Sequence, residues 1–299
     1  NHALTTLPSG GFSTHDLSIG YYDSVLVEMI IIVFMFIAGV NFTLLWFIKE
    51  REFKKAFGDE EFKYYGIYVL VASLAIAGAL IGSGTSVGTA LRHSIFHVVS
   101  IGTSTGYGTT DYAGDGWPLA THFIIFILMI VGASAGSTAG GLKLLRVTLA
   151  FKVAMRELVK IAQPRKIDRI RMNGEVVERN QIGLIVGMLF VWVGLFGISS
   201  IILAIFMPAD TFESVTTVVA SSLGNTGPAL GDYGPAATWA GMNSGALLIT
   251  SILMWFGRLE LLTAVILIHP HTWRKEEKVQ SDRSAVALFR RIMEEDEAN

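Results

Sequence analysis

The sequence predicts an all-α polytopic membrane protein built from a repeated unit of helix, re-entrant loop and helix. Three observations support this fold class: an apolar composition, several stretches long enough to span a bilayer, and a repeated glycine–aspartate spacing. Of the 299 residues, 52% are hydrophobic and 16% are charged, whereas soluble domains carry about 25% charged residues. The chain contains no Cys, which excludes disulfides and thiol chemistry.

The apolar stretches each meet or approach the roughly 20 residues that span a bilayer as a helix. They are residues 24–48, 64–82, 118–133, 182–207 and 240–268. Lys and Arg concentrate between or after these stretches, with 5 in residues 49–63, 10 in residues 143–179 and 6 in residues 274–291. The positive-inside rule places such basic segments in the cytoplasm. Segments that carry Asp but no Lys or Arg are therefore expected outside: residues 111–117, 208–211 and 228–238.

A glycine followed five residues later by an aspartate recurs in equivalent places along the chain. The pairs are Gly11 and Asp16, Gly106 and Asp111, and Gly227 and Asp232. Each pair follows a short semi-apolar segment and precedes a long apolar span. A segment such as 93–101 would be ~14 Å long as a helix, so it enters the membrane without crossing it. Backbone that leaves a helix at that depth must face protein or water, and we expect these loops to line a central permeation path.

Such a path suits a cation. A re-entrant helix that enters from outside points its partially negative C-terminal end at the mid-membrane cavity. A glycine-containing loop exposes carbonyl oxygens that replace the hydration shell of an ion. A single Gly-x-x-x-x-Asp is more often an ordinary turn, but three copies in one repeated position favour a filter. The aspartates either cap the loops or raise the cation concentration at the outer mouth, and the sequence leaves both open.

Several motifs together resemble the Trk/Ktr/HKT superfamily of potassium transporters, and within it the bacterial TrkH/TrkG type. They are STGYGTTD, GASAGSTAGGLKLLR, LGNTGPALG, FGRLELLT and HPHTWRK, and the resemblance runs from residue 1 to about residue 275. It implies K+-channel-like repeats of helix, pore loop and helix around one path, with K+ as the transported ion. By position, the implied K+ selectivity filter comprises Ser9, Gly10, Gly11, Ser104, Thr105, Gly106, Asn225, Thr226 and Gly227.

The family has four repeats, and its first repeat and the opening span of its second have no counterpart here. We therefore expect a further segment upstream of Asn1 to complete the filter, and we do not expect this chain to conduct alone. On this reading residues 1–48 end the second repeat, 64–160 form the third repeat and 182–268 form the fourth. Cytoplasmic segments are expected at residues 49–63, 161–181 (a hairpin) and 269–299 (a C-terminal tail).

Residues 132–141, GASAGSTAGG, should interrupt the span that begins at residue 118. The run is readily unwound because each glycine costs about 0.8–1.0 kcal/mol against Ala in a helix interior. The resemblance implies an intramembrane gating loop here, with the gate residues Gly132, Gly136, Gly140, Gly141 and Arg258. One alternative is a close-packing face for a neighbouring helix. Another is a phosphate-binding loop, which is disfavoured because Lys143 comes one residue late for that motif.

Arg258 lies about ten residues from the inner end of its span, ~15 Å deep, where a charge should face water or a partner. The resemblance places it beneath the filter, and we expect it to be an electrostatic barrier that also holds the loop closed. The alternative is a structural ion pair with Glu28 or Glu260. Lys143 and Arg146 either bind loop carbonyls or face the cytoplasm, and we favour the second. Glu28 is expected to be solvated or to pack between helices.

The basic segment 152–181 contains Asn173-Gly174, which predicts the turn of a cytoplasmic hairpin. The resemblance implies a homodimer with a cytoplasmic nucleotide-binding regulatory subunit, of the TrkA type, docked on this surface. The positive-inside rule alone also explains these charges as an ordinary solvated loop. The implied location is the bacterial cytoplasmic (inner) membrane, crossed several times and in contact with lipid, and no nucleic-acid partner is expected.

Two other classes of function compete with this one. A secondary transporter of another small solute or of sodium also uses broken helices at mid-membrane. The dipping loops carry no charged or aromatic solute-binding set, and the repeats share one topology, so this class is disfavoured. An enzyme is disfavoured because no acid, base and nucleophile cluster lies at membrane depth, and no organic cofactor is expected. The sequence leaves open K+ against Na+ preference, and a channel against a symporter.

Overall fold

The structure is a computed structural model that describes residues 1–114, 116–163 and 169–259. Within them the regular elements are α1 (His2–Thr6), α2 (Val25–Ala38), α3 (Phe42–Lys49), α4 (Phe53–Gly58), α5 (Glu60–Gly82), α6 (Val87–Gly102), α7 (Leu119–Val131), α8 (Leu144–Ala162), β1 (Arg171–Met172), β2 (Glu175–Val176), α9 (Arg179–Phe206), α10 (Phe212–Gly224) and α11 (Ser244–Arg258). Short 3-10 helices occupy Ser18–Tyr22, Gly231–Tyr233 and Trp239–Gly241. The helical character predicted from the sequence is confirmed.

The order of long helix, short helix, loop and helix occurs in α5–α6–α7 and again in α9–α10–α11. The loop and helix that end such a unit also follow α1, where α2 is the closing helix. The 23-residue α5 and the 28-residue α9 are each long and apolar enough to cross a membrane. The fold is therefore the predicted polytopic membrane fold with repeated units.

The apolar stretch 24–48, predicted as one span, is instead two helices that meet at an angle of 100°. The break falls at residues 39–41, where α2 ends and the Asn41 side chain caps α3 by accepting a hydrogen bond from Thr43 N at 2.9 Å. Gly39 allows this close packing, because a Cβ there would overlap the hydroxyl of Tyr65. The two helices together still have the length and composition of one span, which is bent where a straight helix was expected. The sequence did not indicate the bend because three residues barely change the apolar average of a 25-residue stretch.

The short helices α6 and α10 begin at side-chain caps and end deep inside the bundle. Ser86 Oγ accepts from Thr89 N at 3.4 Å, and Thr211 Oγ1 accepts from Ser214 N at 3.2 Å. Residues 96–102 of α6 and 217–224 of α10 are all buried. A helix buried on every side is surrounded by protein. With 16 residues, α6 is longer than the segment 93–101 predicted from the sequence.

Apolar packing joins neighbouring repeats through these short helices. One buried cluster combines side chains of α5, α6 and α7 with Ala220 of α10. A second joins α9, α10 and α11, and a third joins α2 to α6. The short helices therefore lie at the centre of the assembly, where the loops that follow them can meet.

On the predicted cytoplasmic side, β1 and β2 form an antiparallel hairpin with Arg171 opposite Val176. The turn residues Asn173 and Gly174 have φ angles of 52° and 81°. A two-residue turn of type I′ needs positive φ at both central positions, which Asn-Gly tolerates. The turn predicted at residues 173–174 is confirmed.

Candidate functional site

Three short stretches, called here the glycine segments, follow the C-terminal ends of α1, α6 and α10: residues 9–11, 104–106 and 225–227. The first residue of each, Ser9, Ser104 or Asn225, lies in the left-handed region with φ of 54°, 55° and 52°. The last residues are the repeated glycines, Gly11, Gly106 and Gly227, with φ of 65°, 84° and 102°. The backbone therefore takes the same unusual path in all three copies, which the sequence repeat predicted.

The hydrogen bonds behind this path are also the same in each copy. The second residue of each segment donates its N–H to the carbonyl five residues earlier: Gly10 to Thr5 at 2.9 Å, Thr105 to Ser100 at 2.8 Å, and Thr226 to Ser221 at 3.0 Å. The first residue donates to the carbonyl three residues earlier, which completes a Schellman motif. This cap turns the chain sharply at the helix end, so the next carbonyls leave the helix axis.

The glycine segments lie side by side in chain order. A Cβ added to Gly11 would overlap the carbonyl oxygen of Thr105, and a Cβ added to Gly106 would overlap that of Thr226. Among the described residues, no atom lies within 4 Å of a Cβ added to Gly227. The three segments therefore form a continuous series that is open at its Gly227 end. All nine predicted filter residues belong to this series, so the structure brings them together.

Tyr107, directly after the second glycine segment, ties two repeats together. It is fully buried, and its hydroxyl lies 2.6 Å from Thr5 Oγ1 of α1. Ser100 Oγ donates to the carbonyl of Tyr107 at 2.7 Å. Tyr107 was not among the predicted site residues, although its place in the STGYG motif was a signal that could have identified it.

Below the glycine segments, α7 ends at Val131 and α8 begins at Leu144, so residues 132–143 interrupt the helix as predicted. This stretch is called here the interrupting loop. Gly132, Gly136 and Gly141 have positive φ, of 67° to 78°. A Cβ at Gly140 would overlap the carbonyl oxygen of Gly224, the last residue of α10. The glycine-rich sequence is thus required both for the backbone shape and for close approach.

The interrupting loop contacts all three repeats. Gly140 N donates to Ser104 Oγ at 3.1 Å, and Thr138 Oγ1 lies 2.7 Å from Ser9 Oγ. Together with the approach of Gly140 to Gly224, these contacts place the loop directly against the glycine segments or the helix ends that carry them. A close-packing face on a continuous helix, the alternative considered for this glycine run, does not describe a loop of this shape.

Arg258, at the end of α11, binds both the interrupting loop and the residue before the first glycine segment. Its Nη1 donates to the carbonyl of Thr138 in the interrupting loop at 2.8 Å, and its Nη2 donates to the carbonyl of Pro8 at 3.2 Å. The alternative pairing with Glu28 is wrong, because Glu28 binds another arginine; Glu260 lies outside the described residues. Arg258 is exposed, which agrees with the expectation that a charge at this depth faces water or a partner.

Lys143 does not face the cytoplasm as expected. Its residue is only 4% exposed, and its Nζ donates to the carbonyl of Ala139 and, at 3.4 Å, to that of Ser137. Arg146 likewise turns back, with its Nη1 donating to the carbonyl of Leu142 at 3.5 Å. The expectation was wrong because the loop exposes carbonyls without helical partners, and a nearby ammonium satisfies them.

Glu28 is neither solvated nor merely packed between helices. It is 1% exposed, and its carboxylate receives two hydrogen bonds of 2.7 Å from Arg92 on α6. Asp23 adds an ion pair to the same guanidinium at 3.1 Å. The sequence reasoning missed this bidentate pair because Glu28 and Arg92 are 64 residues apart and belong to different repeats.

Two further groups near the interrupting loop were not predicted. Glu61 on α5 accepts a hydrogen bond from Ala135 N at 2.6 Å. The loop also contacts the break at residues 39–41, where Ser134 N donates to the carbonyl of Gly39 at 3.2 Å.

The three aspartates of the repeated motif, Asp16, Asp111 and Asp232, are all exposed. Asp111 accepts from Ala113 N at 3.0 Å and so caps its own turn.

The chemistry of this centre is that of main-chain oxygens. Among the described residues, no group of three or more His, Cys, Asp or Glu side chains could hold a metal ion. The glycine segments instead present carbonyl and hydroxyl oxygens next to the C-terminal ends of three helices, where the helix dipole favours positive charge. Neutral oxygens of this kind suit a cation that sheds its water and leaves again.

The comparisons with known proteins agree with this architecture. Residues 1–275 match the family model described as "TrkH: Cation transport protein". Relatives include the Trk system potassium uptake protein TrkH of Halomonas elongata, 33% identical over 280 residues, and TrkH of Escherichia coli strain K12, 33% identical over 277 residues. Each alignment covers 92% of this chain and 56% of the relative, so the chain spans about half the length of these relatives.

Among solved structures, the crystal structure of the potassium transporter TrkH from Vibrio parahaemolyticus matches with a TM-score of 0.84 and 32% sequence identity. The match covers 91% of this chain and 58% of that one. Sequence and fold therefore agree over almost the whole chain. The chain belongs to the TrkH family of cation transport proteins.

Proposed function

We propose that this chain takes K+ across the bacterial cytoplasmic membrane as part of a Trk-type uptake system. The observation that carries the proposal is the side-by-side placement of the glycine segments, each with the same backbone path. The names of the relatives, potassium uptake proteins, supply the choice of ion. Helices long and apolar enough to cross a membrane support the location.

In this proposal the carbonyl oxygens of the glycine segments form the selectivity filter. They replace the hydration shell of K+, and neutral oxygens bind it weakly enough for it to leave. The segments make up a partial ring, because nothing in the described residues approaches a Cβ at Gly227. A further segment must close the ring on that side, so the conducting unit includes more than these residues.

The interrupting loop is proposed as the gate. Its glycines, Gly132, Gly136, Gly140 and Gly141, give the backbone the conformational freedom to move. It lies against Ser9, Ser104 and the end of α10, so it obstructs the inner end of the path. Arg258 bonds to Thr138 in the loop and to Pro8 beside the first glycine segment. Its positive charge repels a cation from the same place, and its hydrogen bonds hold the loop there.

The proposed assembly is a homodimer in lipid with a cytoplasmic nucleotide-binding regulatory subunit. Large apolar side chains on α9 are exposed in the chain, including Phe190, Ile201 and Ile205, and they suit contact with lipid. The segment 152–181, which contains the hairpin of β1 and β2, supplies a basic cytoplasmic surface for a regulator. Crosslinking of the full-length protein in native membranes tests the dimer and the subunit together.

The experiment that tests the function uses a bacterial strain that lacks its own K+ uptake systems. Expression of the full-length protein that contains this chain should restore growth at limiting K+, and Rb+ should enter the cells as a tracer. A protein that reaches the membrane but restores no growth, or that carries Na+ in place of K+, contradicts the proposal. Imposed H+ or Na+ gradients in proteoliposomes then distinguish a channel from a symporter.

A further inference from the structure

A buried carboxylate at the cytoplasmic end of α5 holds the interrupting loop. Glu61 is 5% exposed, and its Oε1 accepts a hydrogen bond from Ala135 N at 2.6 Å. Bonds between a carboxylate and a backbone amide are short and roughly twice as strong as neutral ones. Glu61 therefore fixes the first half of the loop, at the end opposite to the contacts of Thr138 and Gly140 with the glycine segments.

This half of the loop is also held by a bond from Leu144 N to the carbonyl of Ala133 at 2.9 Å and by backbone bonds to the bend between α2 and α3. Ser134 N donates to the carbonyl of Gly39 at 3.2 Å, and Phe42 N donates to the carbonyl of Gly136 at 3.1 Å. Those bonds depend on the position of the bend. The bond from Glu61 comes instead from α5, and the same carboxylate also contacts the side chain of Asn41 in the bend. A displacement at the start of α5 therefore releases Ala135 while the backbone bonds between the loop and the bend remain.

The same turn of α5 carries the cytoplasmic hairpin. Asn173, in the hairpin turn, uses both ends of its side-chain amide: Oδ1 accepts from Glu60 N at 2.7 Å, and Nδ2 donates to Asp59 Oδ2 at 2.7 Å. Lys152 of α8 reinforces the contact by binding Glu60 Oε2 at 2.8 Å and the carbonyl of Arg171 at 2.9 Å. Residues 59 and 60 therefore hold the hairpin, and the next residue holds the loop.

We propose that the start of α5 is a relay through which the cytoplasmic hairpin controls the interrupting loop. With the hairpin docked, Glu61 is held in place and the loop stays closed beneath the glycine segments. A force that draws Asn173 away from Asp59 and Glu60 displaces Glu61 from Ala135 and favours opening. Glu61 is thus a positioning residue for the gate. The inference rests on the proposed gating function of the loop.

The absence of Cys from these 299 residues allows a direct measurement of loop exposure. In the full-length protein freed of any other Cys, Ser137→Cys places one thiol in the interrupting loop, and its rate of modification by a cytoplasmic methanethiosulfonate reagent is measured. Adding Glu61→Ala should raise the rate about tenfold, as expected for the loss of a hydrogen bond to a charged group. Glu61→Gln keeps an accepting oxygen and should bring the rate back towards that of the parent.

Asn173→Ala should also raise the modification rate, and the Glu61→Ala/Asn173→Ala double variant should match Glu61→Ala alone, because both act through one contact. The matched control is Glu175→Ala on the exposed strand β2, two residues from Asn173 and without a side-chain bond to α5, which should leave the rate unchanged. Asn173 is itself exposed, so its variant tests the relay even where Glu61→Ala fails to fold.

The outcomes separate this inference from the proposed function. Unchanged rates in Glu61→Ala or Asn173→Ala, in a protein that still carries Rb+, overturn the relay and leave K+ transport standing. Additive effects of the two substitutions also overturn it, because independent contacts add. A parent protein that carries no Rb+ overturns the proposed function by itself. Raised, non-additive rates that respond to Glu61→Gln support the relay.

Discussion

The repeated glycines of the glycine segments are required by geometry, and the sequence pattern shows only part of that requirement. The repeat predicted glycine at positions 11, 106 and 227 because a carbonyl-lined turn needs backbone freedom. The structure adds a second requirement, since Gly11 and Gly106 each lie against the carbonyl of the next segment. No pattern within one repeat shows which atoms of another repeat lie beside it.

Gly106→Ala tests this requirement at the residue scale. The new Cβ would overlap the carbonyl of Thr226 and would sit at a φ of 84°, which side chains rarely adopt. We expect K+-limited growth to be lost, with a fall in Rb+ uptake of about tenfold or more, because strain of this kind costs about 1–3 kcal/mol. Gly78→Ala in α5, where a Cβ meets nothing within 4 Å, is the control and should transport normally.

Arg258 supports a second prediction at this scale. Arg258→Gln removes the charge and weakens the bonds to Thr138 and Pro8, so Rb+ flux through the full-length protein should rise, on the order of tenfold for one lost charged hydrogen bond. Arg258→Lys keeps the charge but loses the two-pronged contact, so its flux should lie between the two. Equal or lower flux in a well-expressed Arg258→Gln protein would refute the barrier role.

At the residue scale, the expectations from the sequence were wrong for two charged side chains whose partners come from distant parts of the fold or from loop carbonyls. Lys143 was expected in the cytoplasm but satisfies loop carbonyls, and Glu28 was expected in solvent or between helices but binds Arg92. Both outcomes follow from the rule that buried charges are paired. The rule could be applied only after the fold had shown that these residues are buried.

At the scale of elements, the short helices and the glycine-containing loops that follow them could be predicted in kind, and the bend between α2 and α3 could not. Repeated loop motifs identify a helix end, because αL positions and glycines recur there at fixed spacing. The only sequence feature that marks the bend is the short run Gly39-Val40-Asn41, which lies inside a long apolar stretch. Its cause is tertiary, since the interrupting loop occupies the space that it opens.

The ion pair between α2 and α6 supports a stability prediction for these elements. Arg92→Ala leaves the buried carboxylate of Glu28 uncompensated, which should lower the free energy of unfolding by about 3–5 kcal/mol. The double variant Glu28→Gln/Arg92→Ala removes the buried charge and should recover part of the loss. The measurement is thermal unfolding of the full-length protein in detergent.

Lys55→Ala provides the comparison for that experiment, because the Lys55–Glu52 pair is exposed, with side-chain exposures of 63% and 43%. Exposed pairs of this kind contribute little to stability, so its melting temperature should equal that of the parent. Equal melting temperatures for Arg92→Ala and Lys55→Ala would show that the pair does not hold α6 against α2.

At the scale of the whole molecule, the proposed cation site depends on how three repeats meet. The sequence predicted the unit, its copies and a shared path, because short helices that enter a membrane must return and their loops must face water or protein. It could not supply the contacts between copies, which run from the first glycine segment to the second and from the second to the third. Those contacts arise from the packing of α6 and α10 between the longer helices.

The most direct test of the central claim is a crystal structure of the full-length protein grown with Rb+, in which anomalous scattering locates the ion. We expect a peak between the glycine segments, within coordination distance of the carbonyl oxygens of Gly10, Thr105 and Thr226. An ion located elsewhere in a protein that transports Rb+, with these carbonyls turned away from it, would contradict the claim that main-chain oxygens of the three segments form the cation site.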